Sequence, residues 1–323
     1  MGNNEILLAV KDLEVLFETD RGTICAVDRI SFDLNKGRIL GIVGETGCGK
    51  SVTARAILRV LPSGSWVQTS GQIFFQNREI LSLPEKEMQR LRGSAISMIF
   101  QEPGAALNPT IKIGLQVSEV ISNHLGGSRA QIWRQTIDIL RRVGIPGVQE
   151  RAHFYPHQLS GGMKQRSMIA GAIACRPSLL IADEPTTALD VTIQSQILEL
   201  IIDLRNSTGM AVLLISHDLG TIAETCDEVA VMYSGRIVER SPVQDFFTGP
   251  RHPYSQGLIQ AIPMPGDDRE WLPIIPGRVT NQPRVKGCNF ADRCSYAEEK
   301  CTAEFPPWLD DGSHQVLCCK PLR

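Results

Sequence analysis

The chain has 323 residues, 42% hydrophobic and 21% charged, the balance of a globular protein with room for one large domain plus an appendage or two modest domains. A formal net charge of −2 gives no electrostatic footprint for a polyanion, which argues against nucleic acid as the main partner. No window approaches the roughly 18 consecutive apolar residues of a membrane span. The start MGNNEI lacks a signal-peptide layout and puts Ile6 where a myristoylation pattern wants Ser or Thr. The chain is therefore expected in the cytoplasm, with any membrane role arising through a partner.

Apolar stretches of strand length alternate with helical periodicity, the pattern of an α/β fold. Ile39–Val43 is a continuous apolar run entering a glycine-rich turn, as a buried parallel strand would. After Ser51, the positions Val52, Ala56, Ile57, Val60 and Leu61 fall on one helical face and predict a helix to about Leu61. From about Glu102 to Ala174 the pattern turns mostly helical, which predicts a helical subdomain inserted into a sheet-based core. Leu179–Ala182 and Val212–Ile215 read as two more buried strands, and Ile193–Leu204 as an amphipathic helix. Beyond about Pro250, prolines 253, 263, 265, 273, 276, 283, 306 and 307 punctuate the chain and predict an irregular extension that must be stapled to something. The expected division is thus a domain over 1–250, with its helical part about 102–174, and an extension over 251–323.

GETGCGKS, Gly44–Ser51, sits between a predicted strand and a predicted helix and fits G-x-x-x-x-G-K-[ST]. Gly44, Gly47 and Gly49 let the backbone curl so that N–H groups of Glu45, Thr46, Cys48 and their neighbours through Val52 face phosphates at the helix N-terminus. Lys50 reaches the outer phosphates and Ser51 supplies a hydroxyl to Mg²⁺. LLIADEP, Leu179–Pro185, is an apolar strand ending in two acids, which places Asp183 near Mg²⁺ and makes Glu184 the general base for an attacking water. Cys48, inside the loop, is either a low-pKa reactive thiol at a helix N-terminus or a small serine-like filler.

LSGGMKQR, Leu159–Arg166, together with the two strings above, resembles the signature of ABC-type nucleotide-binding domains. That resemblance implies an α/β ABC-type nucleotide-binding domain, a RecA-like core with antiparallel β and helical subdomains. It makes Gln101 in IFQEP the Q-loop residue, a further Mg²⁺ neighbour, Ala188–Asp190 the D-loop and His217 in LLISHD the switch histidine. Phe17 takes the place of the aromatic that stacks on adenine, or is simply core. It further implies ATP as cofactor and a head-to-tail dimer with a second ATPase subunit, a different chain. In that dimer Ser160, Gly161 and Gly162 serve the partner's nucleotide. Met163 stands where the commonest signature has Gln, a variant frequent in peptide-importer ATPases.

IADEPTTALDVTIQSQIL, YPHQLSGGM, PRHPYSQGLIQAIP, IPGRV, GCNFADRC and HQVLC resemble the dipeptide and oligopeptide importer branch. In that branch the complex holds two ATPases, two integral membrane permeases and an external binding protein, and the ATPase lies on the cytoplasmic face of the membrane. The branch also includes importers of nickel, metallophores and glutathione. A DNA-repair ABC ATPase would want zinc CxxC pairs, coiled coils or a basic face, and a ribosome-associated factor would carry tandem motif sets. A soluble ATPase of iron–sulfur assembly has no place for this tail.

Five of the nine cysteines crowd the end of the chain. Four thiolates can bind a four-iron cluster, and the resemblance favours Cys288, Cys294, Cys301 and Cys318 as ligands, with the His314-x-Val316-x-Cys318 pattern choosing Cys318 over Cys319. Zinc is the alternative metal, although its structural sites prefer closely spaced pairs. Disulfides are disfavoured in the cytoplasm, and unliganded packing cysteines remain open.

Overall fold

All five residues of the strand Ile39–Val43 are buried, as an apolar run without alternation requires. The computed structural model describes residues 5–20, 22–62, 64, 66–187, 189–263, 273–277 and 286–322. The start MGNN, Ala188 of the expected D-loop, Pro265, Pro283 and the end of IPGRV lie outside the described residues. Two compact units emerge, one built mainly from Ser82–Ile215 and the other from Leu8–Asp33, Ile39–Leu81 and Ser216–Arg323.

The first unit holds three parallel strands, Ile96–Ile99, Leu179–Asp183 and Ala211–Ile215, paired in that order. Every residue of the three is buried, and each Leu or Ile contributes about 1.5–3 kcal/mol on leaving water. Parallel neighbours need long crossovers. One is the helix Val191–Thr208, longer at both ends than its apolar periodicity, because Asp190 caps its start and Gly209, in the left-handed region, ends it. Between Ile99 and Leu179 the described elements are all helical, as expected. Helices Ile113–His124, Arg129–Arg142 and Gly161–Ile173 pack together there, burying Val117, Ile121, Ile137, Leu140, Ile169 and Ile173. Ser128 and Gln131 form a reciprocal capping box at the start of the second helix.

The second unit contains two sheets. In one, the long strand Ile6–Thr19 lies between Gly22–Asn35 and Val67–Phe75, with Arg78–Glu79 at the edge. The strands Ile6–Thr19 and Val67–Phe75 are antiparallel from Leu8↔Phe75 to Phe17↔Val67, with a bulge between Lys11 and Glu14. In the other, Ile39–Val43 runs parallel to Glu228–Tyr233, which pairs antiparallel with Arg236–Pro242.

The helix after Ser51 is shorter than its apolar face suggests. It spans Lys50–Ile57, and Arg59 at φ 53 halts it, leaving Val60 40% exposed. A side chain in the left-handed region cannot continue a right-handed helix.

The extension is less irregular than proline spacing predicts. The strand Gln315–Leu317 adds to Arg236–Pro242 through Glu239↔Val316 and Arg240↔Gln315, and Trp308–Asp310 adds outside it. Helices Pro253–Gln260 and Glu299–Ala303 flank these strands in sequence. A fully buried Glu239 ties the segments together. Its carboxylate accepts the N–H groups of Arg251 and His252 at 2.7 and 2.8 Å and meets His314 Nε2 at 2.6 Å. Prolines break long elements but do not prevent short ones whose free backbone groups are taken up by neighbouring strands and side chains.

Candidate nucleotide site

Strand Ile39–Val43 delivers the chain into Gly44–Ser51, and the glycines there are conformational necessities. Gly44 has φ 152, and a Cβ on it would lie 2.1 Å from the Met232 carbonyl oxygen; Gly49 has φ 110, and its Cβ would lie 2.3 Å from that of Ala26. Lys50 opens the following helix and is only 5% exposed. Its Nζ donates to the carbonyls of Gly44 and Glu45 at 2.7 and 3.0 Å. The lysine thus spans the mouth of its own loop, and an ammonium held this way is poised to exchange carbonyl oxygens for phosphate oxygens. Ser51 and Val52 follow on the helix's first turn, half-buried.

Cys48 does not become a reactive thiol. It is completely buried, and burial pushes its thiol up although the nearby Lys50 opposes the shift. Desolvation outweighs the helix N-terminus here, which favours the filler reading of Cys48.

His217 belongs to the same unit and is exposed, one residue before Asp218, which caps helix Leu219–Thr225. Phe17 is half-buried, with its ring centroid 6.0 Å from that of Trp66. Trp66, 43% exposed, is a second aromatic beside the expected adenine residue that sequence reasoning passed over.

The other unit gathers the acidic half. Asp183, the last residue of its strand, is 1% exposed. Glu184 follows in the left-handed region at φ 47, a conformation that costs a non-glycine residue about 1–3 kcal/mol and clusters at functional sites. Gln101 Nε2 donates to Glu184 Oε2 at 2.8 Å, and Thr187 Oγ1 donates to the same oxygen at 2.9 Å. Thr187 was missed in the sequence, where ADEPTTALD offers two adjacent threonines and no periodicity to choose between them.

The signature residues are placed by a helix start. Ser160 is the N-cap of Gly161–Ile173, its Oγ accepting the Met163 N–H at 3.3 Å. Ser160 and Gly161 are exposed and Gly162 half-buried; a Cβ on Gly162 would sit 3.1 Å from Ile193. A short, uncovered helix N-terminus is suited to an anion. Asp190 serves as a helix cap, its Oδ1 accepting the Ile193 N–H at 3.0 Å. The expected residues therefore fall in two groups: Gly44–Val52, Phe17 and His217 in one unit, and Gln101, Asp183, Glu184, Ser160, Gly161, Gly162 and Asp190 in the other.

Residues 27–187 match the family model of the ABC transporter, and residues 238–301 that of the oligopeptide/dipeptide transporter C-terminal region. The chain belongs to the ABC transporter family of ATP-binding proteins. Among its relatives is the probable peptide ABC transporter ATP-binding protein y4tR of Sinorhizobium fredii, 48% identical over 97% of this chain and 95% of that one. The dipeptide transport ATP-binding protein DppD of Escherichia coli is 46% identical over 98% of this chain and 97% of its own. The oligopeptide transport ATP-binding protein OppD of Salmonella typhimurium is 45% identical over 98% and 95%. The dimeric ATP-binding cassette MJ0796, solved in a post-hydrolysis state bound to ADP and Pi, shares the fold with a TM-score of 0.66 over 73% of this chain and 98% of that one, at 23% identity.

The iron–sulfur expectation is corrected. The relatives are named as ordinary dipeptide and oligopeptide transport ATP-binding proteins, and neither they nor the family models name a cluster. The extension also has ties of its own, in the added strand and in the contacts of Glu239. Cys288, Cys294, Cys301, Cys318 and Cys319 do line one cavity, but its volume is about 20 Å³. Burial pushes the thiols of Cys288 and Cys318 up to about 11. Zinc has no support either: among the described residues, the group of three candidate ligands within 4.8 Å is Glu14, Cys25 and Asp28, which includes none of these five, and Asp28 is paired with Arg236 at 2.6 Å. The cysteines pack.

Proposed function

We propose that the chain is the ATP-binding and ATP-hydrolysing subunit that energises an importer of dipeptides or oligopeptides. The observation that carries this reading is likeness at 45–48% identity, over nearly the whole chain, to proteins named for dipeptide, oligopeptide and peptide transport.

Lys50 and the amides of Gly44–Ser51 bind the phosphates, and Phe17 meets the adenine. Ser51, Gln101 and Asp183 offer hydroxyl, amide and carboxylate oxygens, the donor set that suits Mg²⁺, whose charge offsets that of the phosphates. Glu184 orients and deprotonates the attacking water, held by Gln101 and Thr187, and His217 assists at the γ-phosphate. Ser160, Gly161 and Gly162, with Asp190, serve the nucleotide of a second ATPase subunit, a different chain, in a head-to-tail dimer. Closure of that dimer biases two permease subunits between their two facing states, with an external binding protein delivering the peptide and no nucleic acid involved. The chain divides at about residue 250 into nucleotide-binding domain and extension, and works at the cytoplasmic face of the membrane. No described helix is long and apolar enough to cross one.

The test is Glu184→Gln in the assembled transporter. ATP binding is retained, while hydrolysis and uptake of labelled dipeptide fall to background. Near-normal turnover would sink the assignment of the base, and ATP-driven uptake of nickel or glutathione in place of peptide would move the cargo.

A further inference from the structure

Glu45 is the second residue of the phosphate loop, and its carboxylate brings negative charge to a place meant for a polyphosphate. Like charges at close range repel. The extension answers this charge. Arg293 Nη1 and Nη2 donate to Glu45 Oε2 and Oε1 at 3.2 and 3.0 Å, a fork-to-fork pair across 248 positions of sequence.

Arg293 is itself fixed. Its side chain is 8% exposed, its Nε donates to the Pro276 carbonyl at 2.6 Å and its Nη1 also reaches the Tyr233 hydroxyl at 3.3 Å. A second contact reaches the same loop residue, because the Glu45 N–H donates to the Tyr254 hydroxyl at 2.8 Å. The rings of Tyr233, Tyr254 and Phe290 form one edge-packed cluster, with centroids 4.7, 5.1 and 5.4 Å apart. Phe290 and Arg293 both lie in GCNFADRC, which is anchored by the Cys288 N–H to the Cys301 carbonyl at 2.7 Å. Glu45 is therefore gripped at its amide and its carboxylate by the extension, and at its carbonyl by Lys50.

We propose that Arg293 is a positioning residue for ATP: it neutralises Glu45 and holds the first turn of the phosphate loop, so the folded state of the GCNFADRC segment sets nucleotide affinity. This rests on the reading of Gly44–Ser51 as the phosphate loop. It gives the extension a role in the nucleotide site that requires no metal.

The test is a double-mutant cycle on the full chain, with binding of Mg²⁺ and a non-hydrolysable ATP analogue followed by calorimetry. Arg293→Ala weakens binding about tenfold, which corresponds to about 1.4 kcal/mol, and the loss shrinks at high salt. In the Glu45→Gln background the same change costs less than about twofold, because no acid is left to neutralise. Equal losses in both backgrounds would reduce Arg293 to a packing residue, and an unchanged affinity in the natural background would overturn the idea outright. Should Arg293→Ala fail to fold, Arg293→Gln carries the same cycle, removing the charge while keeping a polar side chain with N–H donors. Lys50→Ala runs alongside: if it binds the analogue normally, the phosphate-loop reading itself is wrong, an outcome distinct from failure of the Arg293 cycle.

Discussion

Gln101 donates to Glu184 across 2.8 Å, joining the end of the strand Ile96–Ile99 to the end of its parallel neighbour Leu179–Asp183. The two residues are 83 positions apart. The parallel register Ile99↔Ala182 brings their backbones side by side, and the left-handed turn at Glu184 aims the carboxylate at the amide. A further donor, Thr187, falls on the same oxygen, so the carboxylate's orientation is set by two elements at once.

Thr187→Val removes one of those donors without changing the side chain's volume. A hydrogen bond to a charged group is worth about 1.5–3 kcal/mol, so kcat for ATP hydrolysis falls at least about tenfold. KM stays within about threefold, because the contact acts on Glu184, the proposed base, and not on nucleotide binding. Thr187→Ser restores most of the rate. Loss of KM and kcat together would mean that Thr187 supports the fold and not the base.

Gly44→Ala and Gly47→Ala separate steric closeness from backbone strain. Both residues have positive φ, but an added Cβ at Gly44 would meet the Met232 carbonyl at 2.1 Å, whereas at Gly47 nothing lies within 4 Å. Gly47→Ala is expected to cost about 1 kcal/mol of backbone strain, and Gly44→Ala several times more because backbone must move. Thermal melts of the two variants check the order, and equal losses would mean that the loop shifts freely.

Acidification destabilises the region around His252. Burial lowers this imidazole to about 3, against about 6.5 in an unfolded chain. Between those values the unfolded state binds more protons, so stability is full above about pH 6.5 and is lost as pH falls toward 3. His252 also caps helix Pro253–Gln260, its Nδ1 accepting the Tyr254 N–H at 3.1 Å. His252→Asn keeps a cap acceptor and removes the titration. Denaturant unfolding between pH 7 and 4 is expected to show a shallower pH slope for the variant, by up to about one proton.

Glu239→Gln keeps the shape of the buried carboxylate but presents an N–H₂ where one of three donors now points. Leaving such groups unsatisfied costs about 1–3 kcal/mol or more. Limited proteolysis should cut the extension faster in the variant, while the helices between Ile113 and Ile173 keep their protection. A cleavage pattern like that of the natural chain would show that strand addition alone holds the extension.

The nucleotide motifs were legible in the sequence because their chemistry needs neighbours in the chain. A loop that curls around phosphate must have its glycines, Lys50 and Ser51 within eight positions, and an apolar strand that ends in Asp183 and Glu184 announces both burial and charge. Ile39–Val43, Leu179–Ala182 and Val212–Ile215 were readable for the same reason, since full burial imposes an unbroken apolar run. What the tertiary structure alone decided are relationships between distant groups. These are Glu239 with His314, 75 positions apart, Glu45 with Arg293, 248 apart, and the strand addition that orders a proline-rich extension. Cys48 shows the limit most clearly, since its place at a helix N-terminus favours a low pKa while its complete burial raises it. Pairings of this kind leave no period or spacing in the chain, because they depend on which surfaces the packed sheets bring together, and desolvation is a property of that packing.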